Sequence, residues 1–456
     1  MGREAMMVIA SYAVVMLAMI GAAAYLIFRC DRFVSASTML ISFLLLVYGP
    51  AYLLYMLWRI PISAVDKQIS QSVHFPEITV ALNLSIALMF VAVIAGIELV
   101  TRLMPAAVNS TREGLKNWSH QPLARAPSGE MWLLAIAFLM AAFMLWVSYR
   151  EHHLQILLGY LSVPGDEFAK IVYRQQNGGS RVYLFNLLTG TIAPMIIVWA
   201  GLVAWGRRSW ILGAVTALLL AATILGKLQT LNKAPIVLFI LQLLLVGYLL
   251  FRNNLDWRVC LLGVAAAFLI FIPIFMIAIP GMQPSDAFEF FYYRAFDFSN
   301  AALMEYWGAI PWRLDHMWGG NLRVLSAIVG WKWQPSYDLV SDTWRSTGAG
   351  THTTAMFIAD AWTDFSYYGV GVYALLVGVL CRWIDLTFLK GKTALAIAIL
   401  AASFLGIYNL MISALPTSLV TGGMGLPVLV AVIRAASLHW TRPRRDGDTS
   451  RQAALR

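Results

Sequence analysis

Composition, aromatic content and the spacing of apolar runs together predict an all-α polytopic membrane protein. It is read as about eleven transmembrane helices forming one transmembrane domain over 1–456, with two large outward loops carrying short helices. Of the 456 residues, 60% are hydrophobic and only 12% charged, and the mean hydropathy is +0.71. Soluble domains carry roughly 45–50% apolar and about 25% charged residues. This chain has too few charges to cover a water-facing surface, so its main solvent must be lipid. The 17 Trp and 18 Tyr agree, because amphipathic rings favour the headgroup level.

A spanning helix needs about 20 mostly apolar residues. Stretches that qualify run near 6–28, 34–58, 78–101, 130–149, 184–205, 209–226, 234–251, 259–280, 366–384, 393–412 and 422–438. The first ends in small residues, Ala22 to Ala24, that could mimic a signal-peptidase site. Arg29 and Arg32 follow instead of an export domain, so it reads as an uncleaved anchor. Polar connections lie at 102–129, 150–183 and 281–365, with a basic tail at 439–456. The two longest keep aromatic and apolar character, as in Tyr160 to Pro164, Phe288 to Tyr293 and Trp331 to Trp333. Disordered linkers lack such residues, so both are expected to fold as short helices on or in the outer leaflet.

Orientation follows the short-loop Lys and Arg residues. Arg29, Arg32, Arg102, Arg112, Lys116, Arg125, Arg207, Arg208, Arg252, Arg258, Arg382, Lys390, Lys392, Arg442, Arg444 and Arg445 all fall on one side if eleven helices are counted. That side is read as cytoplasm. The N-terminus is then periplasmic, the C-terminus cytoplasmic, and the membrane a bacterial-type inner membrane. The net charge of +10 thereby records topology and not a nucleic-acid partner. Cys30, Cys260 and Cys381 have no paired spacing, which excludes a disulfide framework and a Cys-based zinc site.

Candidate chemistry concentrates outside. Arg294 sits in Phe290-Phe291-Tyr292-Tyr293-Arg294-Ala295-Phe296-Asp297-Phe298. It reads either as a snorkelling interfacial anchor or as a diphosphate clamp, because the guanidinium fork suits phosphate oxygens. Lys227 and Lys233 bracket a short outward turn against the positive-inside trend. Either an anionic ligand or a buried carboxylate would explain them. After the large loop come Gly350 to Thr354 and then Met356 to Asp364; if this is helical, Asp360 and Asp364 share a face, with His352 about two turns earlier. These three could deprotonate a sugar hydroxyl, or the carboxylates could pair with outward arginines and only fix the loops. The adjacent His152 and His153 read as interfacial. No P-loop motif occurs, the only Asp-x-Asp lies in the tail, and no outward residues have zincin spacing. No cofactor and no metal are expected; an activated substrate arriving on a lipid is.

The helix pattern, the late large loop and the aromatic-flanked Arg294 resemble the Wzy-type O-antigen and exopolysaccharide repeat-unit polymerases, membrane glycosyltransferases related to the GT-C enzymes. The matching pieces are Tyr293-Arg294-Ala295-Phe296, Asn300, Glu305-Tyr306, Gly319-Gly320 and Phe357 to Trp362 running to Tyr368 to Gly371. They span roughly the last 200 residues; the first half matches only as hydropathy. The resemblance implies transfer of a growing glycan from undecaprenyl diphosphate to the non-reducing end of the next lipid-linked unit, inverting and metal-independent. It implies as partners the undecaprenyl-diphosphate-linked oligosaccharide, the bilayer and a chain-length regulator protein. It gives Arg294 a role as an outward-loop arginine and implies binding roles for Tyr293 and Glu305; Arg174 and Arg181 match only as basic residues of the earlier loop. Many relatives carry Arg where this chain has Lys227 and Lys233, and Lys lacks the bidentate fork. A ligase or another polyprenyl-linked transferase would use similar parts. A transporter or flippase would need no base, and no internal repeat of the transporter kind is visible.

Overall fold

Lipid offers no hydrogen bonds, so an apolar chain must satisfy its backbone internally, and helices do this within one segment. The computed structural model describes residues 2–30, 32–57, 64–124, 132–163, 167–231, 234–278, 281–345 and 353–441, and among these it is helical with no strand. In order come α1 (Arg3–Phe28), α2 (Ala36–Tyr48), α3 (Pro50–Leu57), α4 (Ala64–Ser70), α5 (Phe75–Leu103), α6 (Pro105–Lys116), α7 (Trp132–Arg150), α8 (His153–Ser162), α9 (Glu167–Asn177) and α10 (Tyr183–Leu187). A π-helical turn (Leu188–Ile192) leads into α11 (Ala193–Arg207), α12 (Trp210–Gln229), α13 (Ala234–Phe251), α14 (Trp257–Ala278) and α15 (Pro284–Tyr292). A second π-turn (Tyr293–Asp297) leads into α16 (Phe298–Ala309), α17 (Arg323–Val329), α18 (Ser336–Trp344), α19 (Phe357–Phe388), α20 (Ala394–Leu410), α21 (Leu415–Val420) and α22 (Leu426–Thr441).

Eight of the eleven expected stretches are helices long and apolar enough to cross a membrane: α1, α2 with α3, α5, α7, α10 with α11, α12, α13 and α19. The other three correspond to α14, α20 and α22; Leu261–Met276 of α14 and Ala394–Leu410 are apolar but shorter. Three expected helices are interrupted or displaced. The stretch 34–58 breaks at Gly49 before Pro50, because proline disfavours helical geometry in the residue before it. The stretch expected at 366–384 begins instead at Phe357, with a break at Phe365 and Ser366, the latter at φ 53°. And α12 runs to Gln229, which places Lys227 within a helix and not in a turn.

The core is organised around α5 and α19, with α1 against α5, while α11 packs on α12 and α20 and α2 touches both α19 and α20. The α5–α19 approach depends on two glycines: a Cβ on Gly96 would collide with the Leu375 carbonyl and one on Gly378 with the Val93 carbonyl. Asp385 of α19 accepts the first amides of α2, from Ala36 at 2.7 Å and Ser37 at 3.1 Å. A negative charge at a helix N-terminus is favourable, so this carboxylate fixes α2 across the bundle. Polar groups deep in the helices are satisfied in the same way. Asn83 receives Tyr52 at 2.6 Å and donates to Ser11 at 2.9 Å, and Glu98 receives Tyr25 at 2.9 Å.

The segment expected as the large loop, 281–365, contains α15 to α18, and one of these is core. From Ala302 to Ile310 every residue of α16 and its end is buried, with Trp307 fully enclosed. Trp307 stacks on Trp362 of α19 at 5.1 Å and donates to Ser85 of α5 at 3.2 Å. Large rings with one polar handle gain most when both are enclosed and paired, so α16 sits against α4 and α5 and not on a surface.

Candidate functional site

The carboxylates proposed from sequence as bases, Asp360 and Asp364, do share a face of α19 one turn apart, and both are buried. Asp364 Oδ1 accepts the amides of Gly319 at 3.1 Å and Asn321 at 3.2 Å, while its Oδ2 is enclosed without a partner. Asp360 Oδ1 accepts Asn321 Nδ2 at 2.8 Å and the Ser336 hydroxyl in a very short hydrogen bond. Asn321 closes the motif by accepting the Ser336 amide at 2.9 Å. The free carbonyls at the helix break serve too: Met317 donates to Thr363 and Trp318 to Asp364. The two carboxylates thus staple residues 317–336 onto α19, through amides and hydroxyls and not through the arginines expected.

Glu305, expected to bind substrate, is also engaged internally. It pairs bidentately with Arg345, whose Nη1 lies 2.8 Å from Oε2, and it accepts Thr353 Oγ1 at 2.7 Å. Arg345 in turn donates to Thr353 Oγ1 at 2.7 Å. Tyr306 donates to the Thr353 carbonyl at 3.0 Å, and its burial holds its hydroxyl well above the usual tyrosine range.

Arg294 is placed differently. The second π-turn presents it to solvent, with its guanidinium 5.0 Å from the Phe298 ring and 5.9 Å from Phe290. Those rings are four residues either side, so one aromatic face carries the cation. No carboxylate is within ion-pair distance of it among the described residues. Its charge is felt by Tyr293 beside it and by Tyr408 at the end of α20. Asp297, in the same turn, is half-buried and has no bonding partner among the described residues. Burial, then the charge of Asp66 in α4, push the Asp297 carboxyl above its ordinary range. Asp66 itself is buried and accepts Tyr55 Oη at 2.8 Å.

Lys227 is the second isolated cation. It is 4% exposed, with Nζ 3.5 Å from the Gly190 carbonyl and 5.4 Å from the Phe239 ring. Residue 194 is proline, which offers no N–H to the carbonyl four residues back, so Gly190 O is open to the ammonium. No carboxylate approaches Lys227 among the described residues. Nearby, the Gln229 side-chain amide and Thr189 Oγ1 are buried without partners. Burying a charge unpaired costs several kcal/mol, so this corner is a place where an anion would be stabilised. The loop after α9 closes over it, Gly179 donating to the Gln229 carbonyl at 3.4 Å. Arg174, half-buried, lies in the last turn of α9, and Arg181, exposed, lies in that loop.

Contacts through the 408–423 segment link the surroundings of the two cations. Gly423 lies against Thr191 of the first π-turn, Asn409 donates to the Gly422 carbonyl at 2.9 Å, and the neighbouring Tyr408 feels Arg294. An open groove between α11 and α12 lies at the other end of those helices, lined by Trp205, Arg208 and Trp210.

His352 and Lys233, both expected at the site, lie outside the described residues. His153, expected at the interface, is fully buried instead. It is held by Ser148 at 3.1 Å and by Glu151 at 2.9 Å, while His152 is exposed. Burial opposes ionisation of Glu151, but hydrogen bonds from Ser180 and His153 outweigh it and hold its pKa below the ordinary value. Asn321, Ser336 and Asp297 were not singled out from sequence. The only signal for Asp297 was Arg-x-x-Asp, which in a regular helix reads as a satisfied i,i+3 pair. Among the described residues no three His, Cys, Asp or Glu side chains converge as a metal site requires. The chain matches no family model, no curated protein and no solved structure.

Proposed function

We propose that the chain is a membrane-embedded glycosyltransferase acting on glycans carried by polyprenyl diphosphate. Within that class we read it as the polymerase of undecaprenyl-diphosphate-linked repeat units, working at the periplasmic face of a bacterial inner membrane. The observation that carries this reading is that two cations, Arg294 and Lys227, have no carboxylate within ion-pair distance among the described residues. Cations left without counter-charges suit a ligand that brings its own, and a diphosphate leaving group does so. Fixed positive charge also stabilises the negative charge that builds on diphosphate as the anomeric bond breaks. The aromatic face around Arg294, formed by Phe290, Phe298 and Tyr293, suits sugar rings and a prenyl chain.

The reading requires eleven spans, with α14, α20 and α22 crossing alongside the eight longer candidates, and residues 281–365 outside. Reporter fusions at residue 320 are expected to report the periplasm. The activity test gives purified protein a lipid-diphosphate-linked repeat unit and resolves the products by size. A ladder of lengthening glycans is expected. A single transfer to a different lipid acceptor would make the chain a ligase, and movement of an unaltered substrate across sealed vesicles would make it a transporter.

A further inference from the structure

We propose that Asp297 is the proton acceptor for the incoming sugar hydroxyl, held in the same π-turn as the phosphate anchor Arg294. This rests on the glycosyl-transfer reading above and adds the group that activates the acceptor. In a regular helix, residues three apart sit about 60° from one another around the axis and an Arg–Asp pair there closes on itself. Residues 293–297 are instead wound as a π-turn, and the two opposite charges do not pair. The guanidinium lies along the Phe290–Phe298 face, and the carboxylate is left on the neighbouring face with Tyr293, whose hydroxyl feels its charge. Single π-turns inside helices frequently mark functional sites. This one forgoes an ion pair and leaves a cation and a carboxylate on neighbouring faces, the cation exposed and the carboxylate half-buried.

The surroundings keep Asp297 a base and not a permanently screened anion. Asp66 from α4 faces it with a like charge, while Tyr55 of α3 is already bonded to Asp66. Tyr48 of α2 and Tyr52 of α3 donate to Met411 and Asn83. Glu305 of α16 is locked to Arg345. Tyr306 of α16, Lys67 of α4, and Asp286 and Glu289 of α15, with Tyr292 and Tyr293, complete the titratable groups of these elements among the described residues. By contrast Asp360 and Asp364, the other carboxylates near this end, have their Oδ1 atoms committed to the 319–336 staple.

In the step itself the acceptor oxygen bonds to the anomeric carbon as its proton passes to an Asp297 oxygen. The bond from that carbon to the diphosphate oxygen breaks, and its electron pair leaves with the diphosphate, held against Arg294. The protonated Asp297 then loses its proton to water, to which it is partly open.

The test uses the full-length protein in nanodiscs with a lipid-diphosphate-linked repeat unit. Three quantities are read: the rate of glycan extension, the affinity for undecaprenyl diphosphate, and the dependence of rate on pH. Asp297→Asn is expected to lower the rate by about 10²-fold or more, to leave affinity within about two-fold, and to abolish the acid limb of the pH profile. Asp297→Glu should recover part of the rate with that limb displaced. Retention of the limb, or a rate within five-fold of wild type in Asp297→Asn, overturns Asp297 as the base while leaving the polymerase reading intact. If the wild type extends nothing, both readings fall. A loss of affinity in both variants would overturn the assignment in favour of a positioning role.

Discussion

Asp364 and Asp297 are both carboxylates near the ends of helical segments, yet one is enclosed and the other open. Asp364 takes two backbone amides on one oxygen and has no exposure at all. Asp297 is half-exposed, without a bonding partner among the described residues, and three residues from a cation that does not pair with it. The same contrast separates Glu305, bound to Arg345 and Thr353, from Arg294, which among the described residues meets aromatic rings and no carboxylate. A charge whose partners all come from its own chain is architecture, because its solvation has been replaced inside the fold. A charge left without partners at the rim is available to a ligand. Proximity to a membrane, which made Asp360 and Asp364 candidates, therefore does not distinguish the two uses.

The comparison can be broken most directly at Arg294. Arg294→Ala is expected to lower glycan extension by about 10²–10³-fold, the range for deleting one donor to a developing charge, with an unchanged melting temperature in detergent. A drop in melting temperature without loss of extension would make Arg294 architectural. Asp364→Ala should behave in the opposite way. Losing a charged acceptor of two buried amides costs about 2–3 kcal/mol, measured as lower folded yield and earlier thermal unfolding, and an unaltered unfolding curve would remove the staple. Lys227→Met sharpens the contrast from the other side. Replacing a buried, unmatched cation by an apolar chain is expected to keep or raise stability, by about 1 kcal/mol, while undecaprenyl-diphosphate affinity falls; destabilisation with unchanged affinity would assign Lys227 to the scaffold. The smallest effect is expected for Ser336→Ala, about 1 kcal/mol for one hydrogen bond to Asp360, with extension retained.

Much of this was legible beforehand. The stretch 234–251 matches α13 from end to end, and 130–149 differs from α7 by only a residue or two at each end. The shared face of Asp360 and Asp364 followed from helical period alone. The breaks were harder to see. Gly49-Pro50 is a local signal that hydropathy averages away, and the Phe365–Ser366 break is set by what α19 packs against, with Met317 and Trp318 taking the freed carbonyls. Burial of α16 was not legible either, because Trp307 and Trp362 are rich enough to be interfacial and only their stacking shows them as core.

Composition and local pattern are enough to set the solvent and the helices: apolar content, run length and breaker residues act over one or two turns, and lipid forces every such run to satisfy its own backbone. The sequence also offered Arg294 and Lys227 as candidate ligand-binding charges. Which charges are spent and which remain was decided only by tertiary structure. Asn321 reaches Asp360 across 39 residues and Arg345 reaches Glu305 across 40, while Arg294 and Asp297, in one helical turn of sequence, fail to meet. A charge is compensated by what lies close to it in space, and neither composition nor period carries that proximity.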